Sequence, residues 1–377
     1  MNVIMFHSVG MQSSNIIHSS LSFPVTHFEY LCKYIAAKNI KTSFLDEWHY
    51  NRINNIRDKN LYLTFDDGFL DNWVYVFPIA QKYNIKFTIF INPDFVQNGE
   101  NLRPQFQGID SKELNKSAIG YLNWKELSEM IKSGIVDIQS HSMSHTWHIT
   151  NNEVIDVLNL LNFMDYPWII WDSPKIKKAY YLDDKNINEF FGLPIFSNGR
   201  SLGIRRYIYE NEELNKINEY CKNLYSHKQD INNIIKGTNE YIYNNKIFGR
   251  MESDNEMIDR YYYELSESKR VLESELNKSI DYLCWPGGAY NNISVRIARD
   301  VGYKASTLAS KGDLDPLEFK KHIRIRRFGL SSFLFEFKGK KYYFSGVATG
   351  TLKWKLTGKR SLKNYIFSAL KKIITVL

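Results

Sequence analysis

The stretch that most limits what this chain can fold into is Leu61-Tyr62-Leu63-Thr64-Phe65-Asp66-Asp67-Gly68, an apolar, β-prone run that stops at two adjacent carboxylates and a glycine. Successive residues of a strand point to opposite sides. Asp66 and Asp67 can therefore share one side of a site only where the strand ends and the chain turns. Gly68 permits that turn. Taken alone, the segment reads equally well as a solvated turn after a strand, where Asp-Gly is also favoured.

A second stretch changes the balance. Val136-Asp137-Ile138-Gln139-Ser140 reads as another short strand and runs into His141-Ser142-Met143-Ser144-His145. Histidines at i and i+4 lie on one face of a helical turn and can bind a single metal ion. One Asp with two His supplies three protein ligands and leaves a position open for water, the pattern of catalytic rather than structural zinc. The other aspartate is then free to act as a base.

Thr64-Phe65-Asp66-Asp67-Gly68 followed by His141-Ser142-Met143-Ser144-His145 resembles the first two motifs of the polysaccharide deacetylase family (NodB homology, carbohydrate esterase family 4). The resemblance implies a distorted (β/α) barrel, a divalent metal, usually zinc, and hydrolysis of an N-acetyl, occasionally O-acetyl, group on a sugar. It makes Asp66 the general base and Asp67, His141 and His145 the metal ligands. The opening Val3-Ile4-Met5-Phe6-His7 is similar to the start of a subgroup in which the first strand delivers a His near the site. Pro286-Gly287-Gly288, after the strand Tyr282 to Trp285, looks like the third motif, which lines the substrate groove; Trp285, Pro286 and Gly287 are expected there. The arginine usually seen before that proline is missing, which leaves the family's arginine-to-base contact open. The last-motif histidine is missing too, since Ser306-Thr307-Leu308-Ala309-Ser310 contains none. A general acid must still protonate the leaving amine, and His7 is the candidate; the alternative is a His that merely ends a buried strand.

Strand–helix alternation through the first 150 residues, resuming near Asp254, argues for an α/β fold with a parallel sheet or barrel, whose chemistry gathers at the C-terminal ends of strands. The expected organisation is residues 1–150 as the first part of the barrel, 151–250 as an insertion of short helices and loops, 251–335 as the remainder, and 336–377 as a basic amphipathic segment. Within the insertion, Arg200, Arg205 and Arg206 lie near two glycines and could hold a phosphate or carboxylate, or be structural. Trp168 and Trp171 could offer faces for a sugar or simply pack.

The formal net charge is +8. No basic cluster interleaved with aromatics suggests a nucleic-acid fold. Cys32, Cys221 and Cys284 are an odd number without regular spacing, which fits a reducing compartment. With no signal-peptide pattern at the start and no long apolar run, a cytoplasmic protein is expected. Leu362, Tyr365, Ile366, Ala369, Leu370, Ile373 and Leu377 form an apolar stripe opposite Lys363, Lys371 and Lys372. That suits peripheral contact with anionic lipid at the inner membrane face, or a final helix docked on the barrel. The expected activity is metal-dependent deacetylation of a sugar in a surface-glycan precursor. The basic tail and arginines suit a nucleotide- or lipid-diphosphate-linked sugar. The alternatives are a glycan-binding protein that keeps its metal without catalysis, and an O-acetyl esterase.

Overall fold

Short runs of β-branched and aromatic residues make ten strands that position the site. They are β1 (Val3–Phe6), β2 (Tyr62–Phe65), β3 (Phe87–Ile91), β4 (Val136–Ser140), β5 (Trp147–Val157), β6 (Pro194–Arg200), β7 (Tyr282–Leu283), β8 (Ala305–Leu308), β9 (Ile323–Arg326) and β10 (Phe328–Gly329). The structure, a computed structural model, describes residues 2–10, 21–108, 118–183, 187–308, 322–331, 333–337 and 340–357. Eight of the strands form one sheet in the order β9-β8-β7-β4-β3-β2-β1-β10. Every pairing in it is parallel. The two ends of that order, β9 and β10, are separated in the chain by Arg327 alone. One bent segment thus supplies both edges and closes the sheet into a distorted (β/α) barrel.

Alternation along the strands sorts the side chains into two layers. Val3, Tyr62, Phe90, Tyr282, Cys284, Ala305 and Ile325 form one buried cluster inside the barrel, plugged from below by Leu45 and Trp48 of the helix Leu45–Ile53. Their neighbours Ile4, Phe6, Leu63, Phe65, Ile89 and Ile91 belong to the larger core beneath the surrounding helices. The helix Val25–Ala37 buries Phe28, Leu31, Cys32 and Ile35, the 3.6-residue stripe that its sequence carries. The helix Ser345–Thr357 adds Ala348 and Leu352 to the same core. The apolar stripe from Leu362 to Leu377 lies outside the described residues.

The segment expected as an insertion is more regular than its sequence suggests. Besides the short helices Trp168–Trp171, Lys178–Asp183 and Ile187–Phe190 it carries the antiparallel hairpin β5–β6 and two long helices, Asn211–Ser226 and Ile231–Asn244. Val154, Phe196, Ile217 and Ile242 form its own small core. Register shifts in β5 between Ile149 and Val154 and between Val154 and Asp156 interrupt the period-2 pattern, which is why the strand is hard to read from sequence. Among the described residues, no helix is long and apolar enough to cross a membrane.

Phe65 sits at the junction of these layers, fully buried, with ring centroids 5.1 Å from Phe6, 5.8 Å from Phe28 and 5.4 Å from Phe87. Phe65→Ala is expected to lower the unfolding free energy by about 3–5 kcal/mol. The check is a urea titration, read as a drop in midpoint at unchanged slope.

Candidate active site

The site is assembled at the C-terminal ends of β1, β2, β4 and β7. Asp66 continues the inward alternation of Tyr62 and Thr64, and is 2 % exposed. Asp67 escapes that alternation because the chain turns there, with φ of 73° at Asp67 and 72° at Gly68. A left-handed conformation at a non-glycine residue stores strain and persists only where the surroundings enforce it. Gly68 tolerates its own conformation, and the nearby Ile91 side chain leaves no room for a Cβ.

The two histidines do converge with Asp67, but not on a helical turn. His141 to His145 form an irregular loop with left-handed Ser142 (φ 65°) and His145 (φ 50°), which corrects the helical reading of their spacing. Tertiary partners hold the loop open. Asn92 Nδ2 donates to the carbonyls of His141 and, at 3.2 Å, Ser142. Glu264 accepts from the Ser144 amide at 3.0 Å and from its hydroxyl. The amide of Met143 donates to the Glu264 carbonyl at 3.0 Å. Glu264 itself lies in a π-helical turn, Tyr263–Glu267, a local widening often found beside functional sites.

His141 Nε2 is 3.2 Å and His145 Nε2 3.6 Å from Asp67 Oδ1. Zinc bonds of about 2.0–2.1 Å in tetrahedral geometry place ligand atoms roughly 3.3 Å apart, so the donor set fits one such ion. His141 Nδ1 lies 2.8 Å from the Cys284 carbonyl, which can only accept; Nδ1 therefore carries the proton and Nε2 faces Asp67. Burial pushes His145 down to about 4, against the pull of Asp67, which favours its neutral ring.

Asp66 has a partner that the sequence does not announce. Arg327 grips it with both arms, Nη1 to Oδ1 at 2.6 Å and Nη2 to Oδ2 at 2.8 Å. Nη1 also donates to Thr64 Oγ1 at 3.1 Å and Nη2 to Cys284 Sγ at 3.0 Å. Burial raises the Asp66 pKa, but the Arg327 guanidinium more than offsets it and keeps the carboxylate ionised. The arginine missing before Pro286 is thus replaced in space by one at the barrel's closing bend. His7, at the end of β1, has Nε2 3.8 Å from Asp66 Oδ2 and its side chain 21 % exposed. Its backbone is fixed by Asn72 Nδ2, which donates to the His7 carbonyl at 3.1 Å.

The remaining expected residues divide. Trp285 and Pro286 are buried, Trp285 beside Tyr290 and Arg324, so neither side chain opens on the site. Gly287 (φ 55°) lies directly under Arg200, whose side chain leaves no space for a Cβ there. Arg200 stacks over Trp147 at 4.5 Å. Arg205 is paired with Asp254 and the Glu252 carbonyl, and Arg206 with the Glu252 carboxylate at 2.9 Å. His322, the histidine that follows the segment lacking the last-motif histidine, bonds Ser306 Oγ at 3.0 Å on the outward side of the sheet, and burial with Arg324 and Arg299 lowers it to about 4. Trp168 and Trp171 of the insertion, with Phe95, Tyr121 and Tyr181, line a mostly apolar cavity of about 210 Å³ into which Asp67 and His145 project.

Residues 54–163 match the family model of the polysaccharide deacetylases. The solved structures with a similar fold include the deacetylase domain of BpsB from Bordetella bronchiseptica. It is 16% identical, with a TM-score of 0.50 over 87% of this chain and 95% of that one. A de-N-acetylase from Aggregatibacter actinomycetemcomitans is 14% identical, with a TM-score of 0.51 over 87% of this chain and 93% of that one. No curated protein matches the chain in sequence. The resemblance read from the motifs stands: residues 54–163 match the polysaccharide deacetylase family model, and the barrel is similar in fold to those of solved deacetylases.

If the Arg327 fork orients Asp66, lysine cannot replace it, because an ammonium does not make two parallel bonds to one carboxylate. Arg327→Lys is expected to lower kcat/KM roughly 10- to 100-fold, the value of a charged hydrogen bond. Bound metal, measured on the same preparation, should change little, while the melting temperature should fall, because a buried charge loses part of its pairing.

Proposed function

We propose that this protein hydrolyses the N-acetyl group of a sugar in a surface-glycan precursor, with Asp66 as general base and His7 as general acid. Asp67, His141 and His145 would hold a divalent ion, zinc by the character of the donors. When bound, that ion supplies polarisation of the acetyl carbonyl and activation of the attacking water. Asp66, ionised and oriented by Arg327, takes the proton of the water as its oxygen adds to the acetyl carbon. His7, beside Asp66, delivers a proton to the sugar nitrogen as the C–N bond breaks, releasing acetate and the free amine. The aromatic cavity next to His145 excludes water around the reacting group and sets it against Asp67.

The observation that carries this reading is the bidentate Arg327–Asp66 pair beside an Asp-His-His cluster. A protein that only bound glycan would have no use for a buried carboxylate kept ionised beside the open end of a metal site. The diphosphate-linked form of the substrate has less support. Arg205 and Arg206 are occupied by Asp254 and Glu252, so an anionic group would depend on Arg200.

Acetate release from N-acetylated and O-acetylated sugars is the direct test. Asp66→Asn should lose at least about a thousandfold in kcat while keeping its metal, as expected when a base is removed but the ligands remain. Full turnover by that variant would sink the mechanism. His141→Ala/His145→Ala should lose both activity and the bound ion, about one per chain in wild type, by metal determination.

A further inference from the structure

His7, the general acid of the deacetylase reading, is the single residue between the end of β1 and the two-residue ribbon Ser8–Val9, which pairs in parallel with Ser22–Phe23. Across from this joint stands Asp71, fully buried at the start of the π-helical turn Asn72–Val76. Its Oδ2 accepts the Val9 amide at 2.9 Å and the Ser8 hydroxyl, and its Oδ1 accepts Asn72 Nδ2 at 2.7 Å. The same Asn72 Nδ2 donates to the His7 carbonyl at 3.1 Å. The backbone on the C-terminal side of His7 is thus held from one carboxyl group.

The arrangement has a direction. An ionised carboxylate and a backbone carbonyl can only accept, so the Asn72 amide must turn its nitrogen toward both. It does so although its own Oδ1 is then left buried without a partner among the described residues, an unfavourable state for an amide oxygen. Asp71 itself pairs with no cation among the described residues, and burial pushes it up to about 7 against its three donors. Fold stability is not what such a group supplies. A carboxyl raised in the folded state loses stability as the pH climbs from about 4, its value in an unfolded chain, and above about 7 it carries the whole penalty. Two unfavourable features, a buried carboxylate without a counter-ion and an unpaired amide oxygen, therefore meet at the one backbone joint that carries His7.

We propose that Asp71 is a positioning residue for His7: through Asn72, Ser8 and Val9 it fixes the backbone from which the imidazole reaches toward Asp66. The inference rests on the deacetylase reading for the role of His7, but not for the hold on its backbone. His7 Nε2 stands 3.8 Å from Asp66 Oδ2, and a small rotation at the joint would carry it away from the reacting nitrogen. Asp71→Asn keeps the shape of the side chain and breaks the relay. Either orientation of the new amide sets a donor against a donor, the Asn72 Nδ2 on one side or the Val9 N–H on the other. If Asn72 turns over to relieve the first clash, its oxygen meets the His7 carbonyl and that bond is lost.

The test joins catalysis to a signal from His7 itself. Acetate release from β-1,4- and β-1,6-linked N-acetylglucosamine oligomers is measured for the full chain as wild type, Asp71→Asn, His7→Ala and the double variant. Asp71→Asn should lower kcat roughly 10- to 100-fold, the worth of one or two hydrogen bonds, with KM and bound metal unchanged. Added to His7→Ala it should cost less than about twofold more, because it acts only through His7. Its melting temperature at about pH 8 should change little, since loss of the buried charge offsets the mismatch. In protein labelled with 15N-histidine, the ring signals of His7 are those lost in His7→Ala. They should shift or broaden in Asp71→Asn while those of His141 and His145 stay in place. Asn72→Leu removes the donor to the His7 carbonyl without touching the carboxyl; it should move the same signals and decides the matter if Asp71→Asn does not fold. Equal losses with and without His7, or unmoved His7 signals, overturn the relay and leave the hydrolytic reading intact. Moved signals with no acetate released by wild type uphold the relay and remove the hydrolytic reading. Unmoved signals with no release end both.

Discussion

The interaction on which the rest of the site depends is the buried ion pair between Asp66 and Arg327. A carboxylate sealed from water is costly unless it is paired and hydrogen-bonded, and here the compensation is nearly complete. Two parallel bonds come from the guanidinium, and the Cys284 thiol adds a weak contact at 3.4 Å from Asp66 Oδ2. Arg327 can reach because it occupies the bend between β9 and β10, where one segment joins both edges of the sheet. Closure of the barrel thus brings Asp66 its counter-ion.

Around that pair the cluster of Asp67, His141 and His145 is arranged by groups that lie outside it. Asn92 holds the carbonyls of His141 and Ser142, Glu264 holds Ser144, and the Cys284 carbonyl sets the ring of His141. Each comes from a different part of the chain, and together they enforce left-handed backbone at Ser142 and His145. Such support fixes the backbone from which both imidazoles project.

The segment 151–250 reaches the site through aromatic rings, Trp168, Trp171 and Tyr181, beside His145. Its arginines are mostly held elsewhere. Glu252, itself fully buried, draws in Arg206 and Arg260, and Asp254 takes Arg205, so that only Arg200 stands against the indole of Trp147 and the backbone of Gly287.

Asp66, Asp67, His141 and His145 were legible from sequence because each motif is local: a strand, its end and a few polar residues that a strand end brings together. The barrel was legible for the same reason, since alternating apolar runs and helical stripes repeat their own periods. The hairpin of the insertion was not, because bulges in β5 break that period. Nor was the loop carrying the histidines, whose spacing mimics a helical turn while Asn92 and Glu264 impose another backbone. Arg327 lies 261 residues from its partner in a segment with four other cations nearby, Lys320, Lys321, Arg324 and Arg326, and nothing local distinguishes it. The sequence by itself determined which strands end in carboxylates and imidazoles, since those periods are short-range properties. Only the tertiary structure decided which cation meets which anion, because that choice depends on barrel closure and on burial, which raise the penalty for an unpaired charge and leave a single partner within reach.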